Sequence, residues 1–152
     1  MGAQRTVEQA VILAAGRGSR LSPATDHTPK SLMPFLGLPL IAFAAAHLAA
    51  VGVRRVAVNA HHLGPDVQRY VEGQLSARFP RIEWTVSLEQ ELLGTGGGLA
   101  NLRGWLGAED FFVVNADAVF DAPLSALITR KQEAEADAVW MVTREPRYQA
   151  LR

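Results

Sequence analysis

The sequence predicts an α/β fold, a mostly parallel sheet flanked by helices, and three observations carry that expectation. Short apolar runs alternate with longer amphipathic stretches, the pattern of strands joined through crossover helices. The run AVILAA is apolar throughout, as a buried strand is, and FFVVN is apolar up to its closing Asn115. Two glycine clusters and Asp117 fall at or just beyond the ends of such runs, where open parallel sheets bind their ligands.

AVILAA, residues 10–15, makes the first strand, and a loop rich in glycine and proline follows. Residues 39–51 are alanine-rich and closed by Gly52, which reads as a helix with a C-terminal glycine cap. RRVAVN, residues 54–59, is a second strand. Residues 65–79 carry Val67, Tyr70, Val71 and Leu75 at helical spacing, with Pro65 suited to the first turn. Ile82, Trp84 and Val86 alternate with polar residues, as in a half-exposed strand. The cluster GTGGG at 94–98 precedes a short helix, LANLRGWL. FFVVN at 111–115 is the most apolar strand, residues 123–136 form another helix with Asp121 as its N-cap, and AVWMVT at 138–143 supplies a fifth strand. Trp84, Trp105 and Trp140 read as core or partly buried packing residues. Adjacent His61 and His62 point opposite ways in extended chain, so they read as surface loop residues rather than a shared metal site.

A length of 152 residues suits one domain with a continuous core. Lys plus Arg equals Asp plus Glu at 15 each, which removes the broad electrostatic reason to expect nucleic acid or an anionic membrane as partner. No basic run interleaves with the tryptophans, which also argues against a nucleic-acid surface. Without cysteine there is no disulfide framework, thiolate metal site or thiol nucleophile. Glu8 and Gln9 interrupt what would be an export core, and no stretch approaches the roughly 20 apolar residues of a membrane span. A soluble, cytoplasmic protein is the expectation.

LAAGRGSRLSPATDHTPKSLMP, residues 13–34, gathers Gly16, Gly18, Arg17, Arg20, Lys30 and three prolines directly after the first strand. Glycines let a backbone turn sharply and approach a ligand, and successive N–H groups in such a turn make a concave anion site suited to phosphate. Arg17, Arg20 and Lys30 crowd positive charge there, offset only by Asp26. On these residues alone, turn geometry and phosphate contact weigh equally for Gly16 and Gly18. A dinucleotide fingerprint fails because Leu21 stands where its third glycine belongs, and a Walker-type loop fails because the chain has no Gly-Lys pair.

The full spacing resembles the signature of the sugar-phosphate nucleotidyltransferases: an apolar strand, A-G-x-G-x-R-[LM], a Pro-x-Thr pair, then P-K and a further proline. Ala15, Gly16, Gly18, Arg20 and Leu21 fill its first part, and Pro23, Thr25, Pro29, Lys30 and Pro34 the rest. In that family the loop wraps the triphosphate of an incoming nucleotide. The resemblance therefore implies nucleotide-binding roles for Leu13, Ala14, Ala15, Gly16, Arg17, Gly18 and Ser19. It implies catalytic roles for Arg20 and Lys30, which would bind phosphate and offset developing negative charge. Such transfers need mostly positioning and charge stabilisation, which fixed cations and backbone dipoles supply.

In the second loop, SLEQELLGTGGGLANL, the family reads the nucleobase through backbone groups, which implies base contacts at Gly94, Thr95 and Glu89. The triple glycine looks most like the uridylyltransferase branch acting on N-acetylmuramic acid 1-phosphate. Asn115 then belongs near ribose or sugar, and Asp117 holds the Mg²⁺ that the family uses, in keeping with that ion's preference for one or two carboxylates plus phosphate oxygens.

The resemblance implies a three-layer, Rossmann-like nucleotidyltransferase sheet, with residues 1–152 the nucleotide-binding portion of a single nucleotidyltransferase domain that lacks the C-terminal sugar-binding part. The implied activity joins a nucleoside triphosphate, UTP first, to a sugar 1-phosphate and releases pyrophosphate. Guanylyl, thymidylyl or cytidylyl transfer stays open, as does a noncatalytic nucleotide-binding or regulatory module. A fragment, a naturally short binder and a chain completed by another subunit are all admitted, the fragment being preferred. The implied partners are the two substrates, with neither nucleic acid nor membrane, and a homo-oligomer is possible.

Overall fold

The computed structural model describes residues 6–142. The chain divides into two compact units, one ending at Ala122 and the other beginning at Pro123.

In the first unit, β1 (Gln9–Leu13) is followed by a loop of single 3₁₀ turns and by a small hairpin of β2 (Pro34–Phe35) and β3 (Leu38–Pro39). Leu36 and Gly37 close that hairpin, both at positive φ, as a two-residue turn between twisted strands requires. Then come α1 (Leu40–Ala50) and β4 (Arg55–Ala60). The chain continues through α2 (Gly64–Tyr70), a π-helical turn at Val71–Leu75 and α3 (Ser76–Arg78). Finally β5 (Glu83–Leu88), α4 (Gly94–Asn101), α5 (Arg103–Leu106) and β6 (Phe111–Asn115) complete the unit.

All pairings in the main sheet are parallel, in the order β5-β4-β1-β6. Right-handed crossovers put the helices between β1, β4 and β5 on one face and those between β5 and β6 on the other, which gives three layers. Central strands β1 and β4 are almost wholly buried, as their unbroken apolar runs predict. On one face Val11 and Ala57 pack with Leu102 and Leu106, and Leu13, Leu99 and Trp105 close over them. Elsewhere Val67, Val71 and Leu75 recur every fourth residue and are fully buried, so helical spacing survives the π turn.

Four expectations change. The glycine cluster does not precede a helix but lies inside α4, which begins at Gly94; glycine is tolerated where helix backbone must approach a neighbour closely. β6 occupies the sheet edge among the described residues, so Phe111 and Val113 are exposed although their strand is the most apolar. In the second unit, α6 (Ser125–Glu133) starts after Leu124, so Asp121 is not its N-cap. Residues 138–142 form no strand and Trp140 is 83% exposed, because an apolar run without a paired neighbour among the described residues does not make a ladder; Thr143 lies outside the described residues.

No helix among the described residues is long and apolar enough to cross a membrane.

Candidate functional site

Parallel register aligns Ser87, Asn59, Leu13 and Asn115 in one row at the carboxyl end of the sheet. Residues so aligned share a face. α4 lies over that face, where Asn101 Nδ2 donates to Ser87 Oγ at 3.1 Å. Strand order also reverses here, since β1, β4 and β5 build toward one edge and β6 returns to the other side of β1. Open α/β sheets take ligands at such a switch point. An open crevice of about 740 Å³ lies there, bordered by the ends of β1 and β6 and by both glycine segments.

The loop after β1 forms the first wall, and its two glycines serve different ends. Gly18 sits at φ 67, and a Cβ there would lie 3.0 Å from both Lys30 Cβ and Thr25 Cγ2. Turn geometry and packing therefore suffice to require it. Gly16 is not in the left-handed region, and a Cβ there would meet nothing within 4 Å. The protein itself makes no demand for glycine at 16, and the space beside it opens on the crevice.

Thr25, only 1% exposed, braces the loop by donating its hydroxyl to the Gly18 carbonyl at 2.9 Å. The Thr25 carbonyl accepts from His62 Nε2 at 2.9 Å, and the Glu89 carbonyl accepts from His61 Nδ1 at 3.0 Å. The two histidines are therefore not merely surface residues. Their opposite directions, expected from the sequence, let each tie down a different loop.

The second wall is the start of α4, where Gly94 and Thr95 are exposed to the crevice and first-turn N–H groups lack intrahelical partners. Glu89 departs from the expected base contact. It is 7% exposed, its Oε1 accepts from Asn59 Nδ2 at 2.7 Å and its Oε2 accepts from the Leu93 N–H at 3.2 Å. Its carboxylate is thus spent inside the protein and does not border the crevice.

Charge is concentrated at the mouth. Lys30 Nζ forms an ion pair with Asp117, just beyond β6, while Arg20 borders the same space. Arg17 does not border it. Apart from Arg17 and Glu89, every residue expected at the site from the sequence lines the crevice. Asn59, Ser31, Leu40 and Leu92 line it too and were not anticipated. A polar residue closing the apolar run RRVAVN was the available signal for Asn59. Ser31 shows its character only in three dimensions, where its hydroxyl is buried with no protein partner.

Among the described residues no group of three or more His, Asp or Glu side chains gathers to hold a metal unaided. Asp117 alone fits the hard-oxygen chemistry of a divalent cation, provided a ligand supplies further oxygens.

Comparison with known proteins agrees with this architecture. The family model for nucleotidyl transferases matches residues 9–150. A mannose-1-phosphate guanylyltransferase of Mycobacterium tuberculosis is 34% identical over 135 residues, 89% of this chain and 37% of that protein. An N-acetylmuramate alpha-1-phosphate uridylyltransferase of Neisseria meningitidis is 33% identical over 141 residues, 91% of this chain and 60% of that protein. Among solved structures, a UDP-glucose pyrophosphorylase complexed with UDP-glucose superposes with a TM-score of 0.72 at 21% identity, over 86% of this chain and 55% of the other, a likeness of fold. The chain therefore spans between about a third and three fifths of the length of these relatives.

Proposed function

The chain belongs to the nucleotidyl transferase family, and we propose that it binds a nucleoside triphosphate in the crevice for transfer of its nucleotidyl group to a sugar 1-phosphate. The observation that carries this reading is the convergence of the Gly16 loop, Arg20, Lys30 and Asp117 on one crevice at the strand switch point. Anionic oxygens would meet backbone N–H groups of the loop, and the buried Ser31 hydroxyl would gain a partner.

In the transfer, an oxygen of the sugar phosphate attacks the α-phosphorus in line, the bond to the β-phosphate bridging oxygen breaks, and pyrophosphate leaves. Arg20 stabilises charge on the departing pyrophosphate. Lys30 exchanges Asp117 for phosphate oxygens and steadies the charge that develops there. Asp117 is the residue that would hold Mg²⁺, which when bound neutralises phosphate charge. A reaction fed by nucleoside triphosphates belongs in the cytoplasm.

UTP is the first choice of base donor, supported by the resemblance of the GTGGG segment to the uridylyl branch. GTP follows, supported by identity to the guanylyltransferase. A second reading keeps the same crevice and makes the protein a module that binds nucleotide without completing transfer.

A melting-temperature screen with Mg²⁺ and each of UTP, GTP, CTP, dTTP and ATP tests binding, since a ligand at a hundred times its Kd adds about 2.7 kcal/mol to stability. Pyrophosphate release on adding N-acetylmuramic acid 1-phosphate or mannose 1-phosphate tests transfer. Binding without release selects the second reading, and no shift with any triphosphate refutes both.

A further inference from the structure

A continuous chain of buried polar contacts joins the two glycine segments through the end of β4. The Ala14 N–H donates to Asn59 Oδ1 at 2.9 Å and shares itself with the Asn59 carbonyl at 3.2 Å, Asn59 Nδ2 donates to Glu89 Oε1 at 2.7 Å, and Glu89 Oε2 accepts from the Leu93 N–H at 3.2 Å. Ala14 borders the crevice on the first wall, and Leu93 immediately precedes Gly94 and Thr95 on the second. Asn59 and Glu89 are only 2% and 7% exposed. The helix above has been cut to fit them, since a Cβ on Gly98 would fall 2.7 Å from Asn59 Nδ2 and 2.9 Å from Glu89 Oε1.

A buried carboxylate is costly to desolvate, and an apolar pair of the same volume would hold strand and helix together without that penalty. What an apolar pair cannot do is orient two backbone N–H groups on opposite sides of a ligand site. We propose that Asn59 and Glu89 are positioning residues, an amide–carboxylate bridge that sets the separation and orientation of the phosphate-side and base-side loops. The claim rests on the nucleotide reading above and deepens it. It also assigns Glu89 a role other than contact with the base, because its carboxylate is buried beneath α4 and does not border the crevice.

The bridge has a direction of donation, and that makes it testable. Glu89→Gln sets an amide against one of two donors, and Asn59→Asp sets carboxylate against carboxylate. Combining them restores complementarity with the central bond reversed, because the introduced amide can donate to the introduced carboxylate while both loop N–H groups keep acceptors.

Wild type, E89Q, N59D and N59D/E89Q are compared by amide hydrogen exchange in the free protein and by calorimetric titration with UTP and Mg²⁺, or with the triphosphate selected by the melting screen. Loss of about one buried hydrogen bond predicts roughly tenfold faster exchange at Leu93 in each single variant, with a smaller rise at Ala14, whose N–H keeps the Asn59 carbonyl as acceptor. Triphosphate affinity should weaken by about tenfold as well, and both properties should largely recover in the double variant.

Exchange at Leu93 that ignores N59D would overturn the bridge, as would a double variant whose losses equal the sum of the singles. Full affinity in a variant whose loops have been released would overturn the positioning role. A wild type that binds none of the five triphosphates refutes the nucleotide reading instead, while exchange still decides the bridge. Should a single variant fail to fold, a double variant that folds and binds supports the bridge, and one that does not overturns it.

Discussion

Lys30 and Asp117, 87 positions apart in the chain, form an ion pair at the mouth of the crevice, and each side chain is 35% exposed. Solvent reaches both partners, so the pair contributes about 0–1 kcal/mol to stability. Its interest lies in what each partner could hold instead, phosphate for the lysine and a cation for the carboxylate. Lys30→Ala should therefore shift the melting temperature by less than about 4 °C. The same change should weaken the tightest-binding triphosphate by about tenfold or more, the worth of a charge-assisted bond. Calorimetry beside thermal melts checks both, and a large melting loss with unaltered affinity would make the pair a structural tie.

Gly16 and Gly18 should separate on substitution by alanine. At Gly18 the positive φ and the 3.0 Å approaches to Lys30 and Thr25 predict a loss of about 1–3 kcal/mol in urea unfolding. At Gly16 a methyl meets nothing, so stability should hold within about 0.5 kcal/mol while triphosphate affinity falls. Equal destabilisation of the two variants would contradict this division.

Two glycines of α4 should respond with opposite signs. Alanine at Gly96 meets nothing within 4 Å and gains helix propensity, so it should stabilise by up to about 1 kcal/mol. At Gly98 the same propensity gain is outweighed by collision with Asn59 and Glu89, and a net loss of about 1–3 kcal/mol is expected. Chemical denaturation of both variants supplies the comparison.

Arg17 and Arg20 look alike in the sequence, but only Arg20 borders the crevice. Arg20→Ala should lower triphosphate affinity by about tenfold or more, whereas Arg17→Ala should change it less than about threefold at moderate salt. Titrations of the two variants at one ionic strength decide the matter.

Much of this was legible along the chain. The first strand, the two glycines, Arg20 and Lys30 follow one another in a single stretch of sequence, so their spacing marks a tight, cation-rich turn at a strand end. Asp117 announces itself by standing just past an apolar run. The resemblance points Glu89 at the base, because position in a motif says nothing of depth. Burial depends on α4 settling over the carboxyl end of β4, with Asn59 waiting beneath. The tying roles of His61 and His62 are invisible along the chain for the same reason, since their bonding partners belong to segments far away in sequence.

The sequence by itself determined the four strands of the main sheet and the helical stretches between them, the two glycine segments and the identities of the charged groups around them, because those follow from short-range periodicity and turn chemistry. Only the tertiary structure decided that Lys30 meets Asp117, that Gly16 leaves open space where Gly18 fills it, and that Glu89 turns inward to Asn59. Each of those outcomes is a distance between residues many positions apart, and such distances are set by parallel register and by one helix packing against the sheet, not by any local preference.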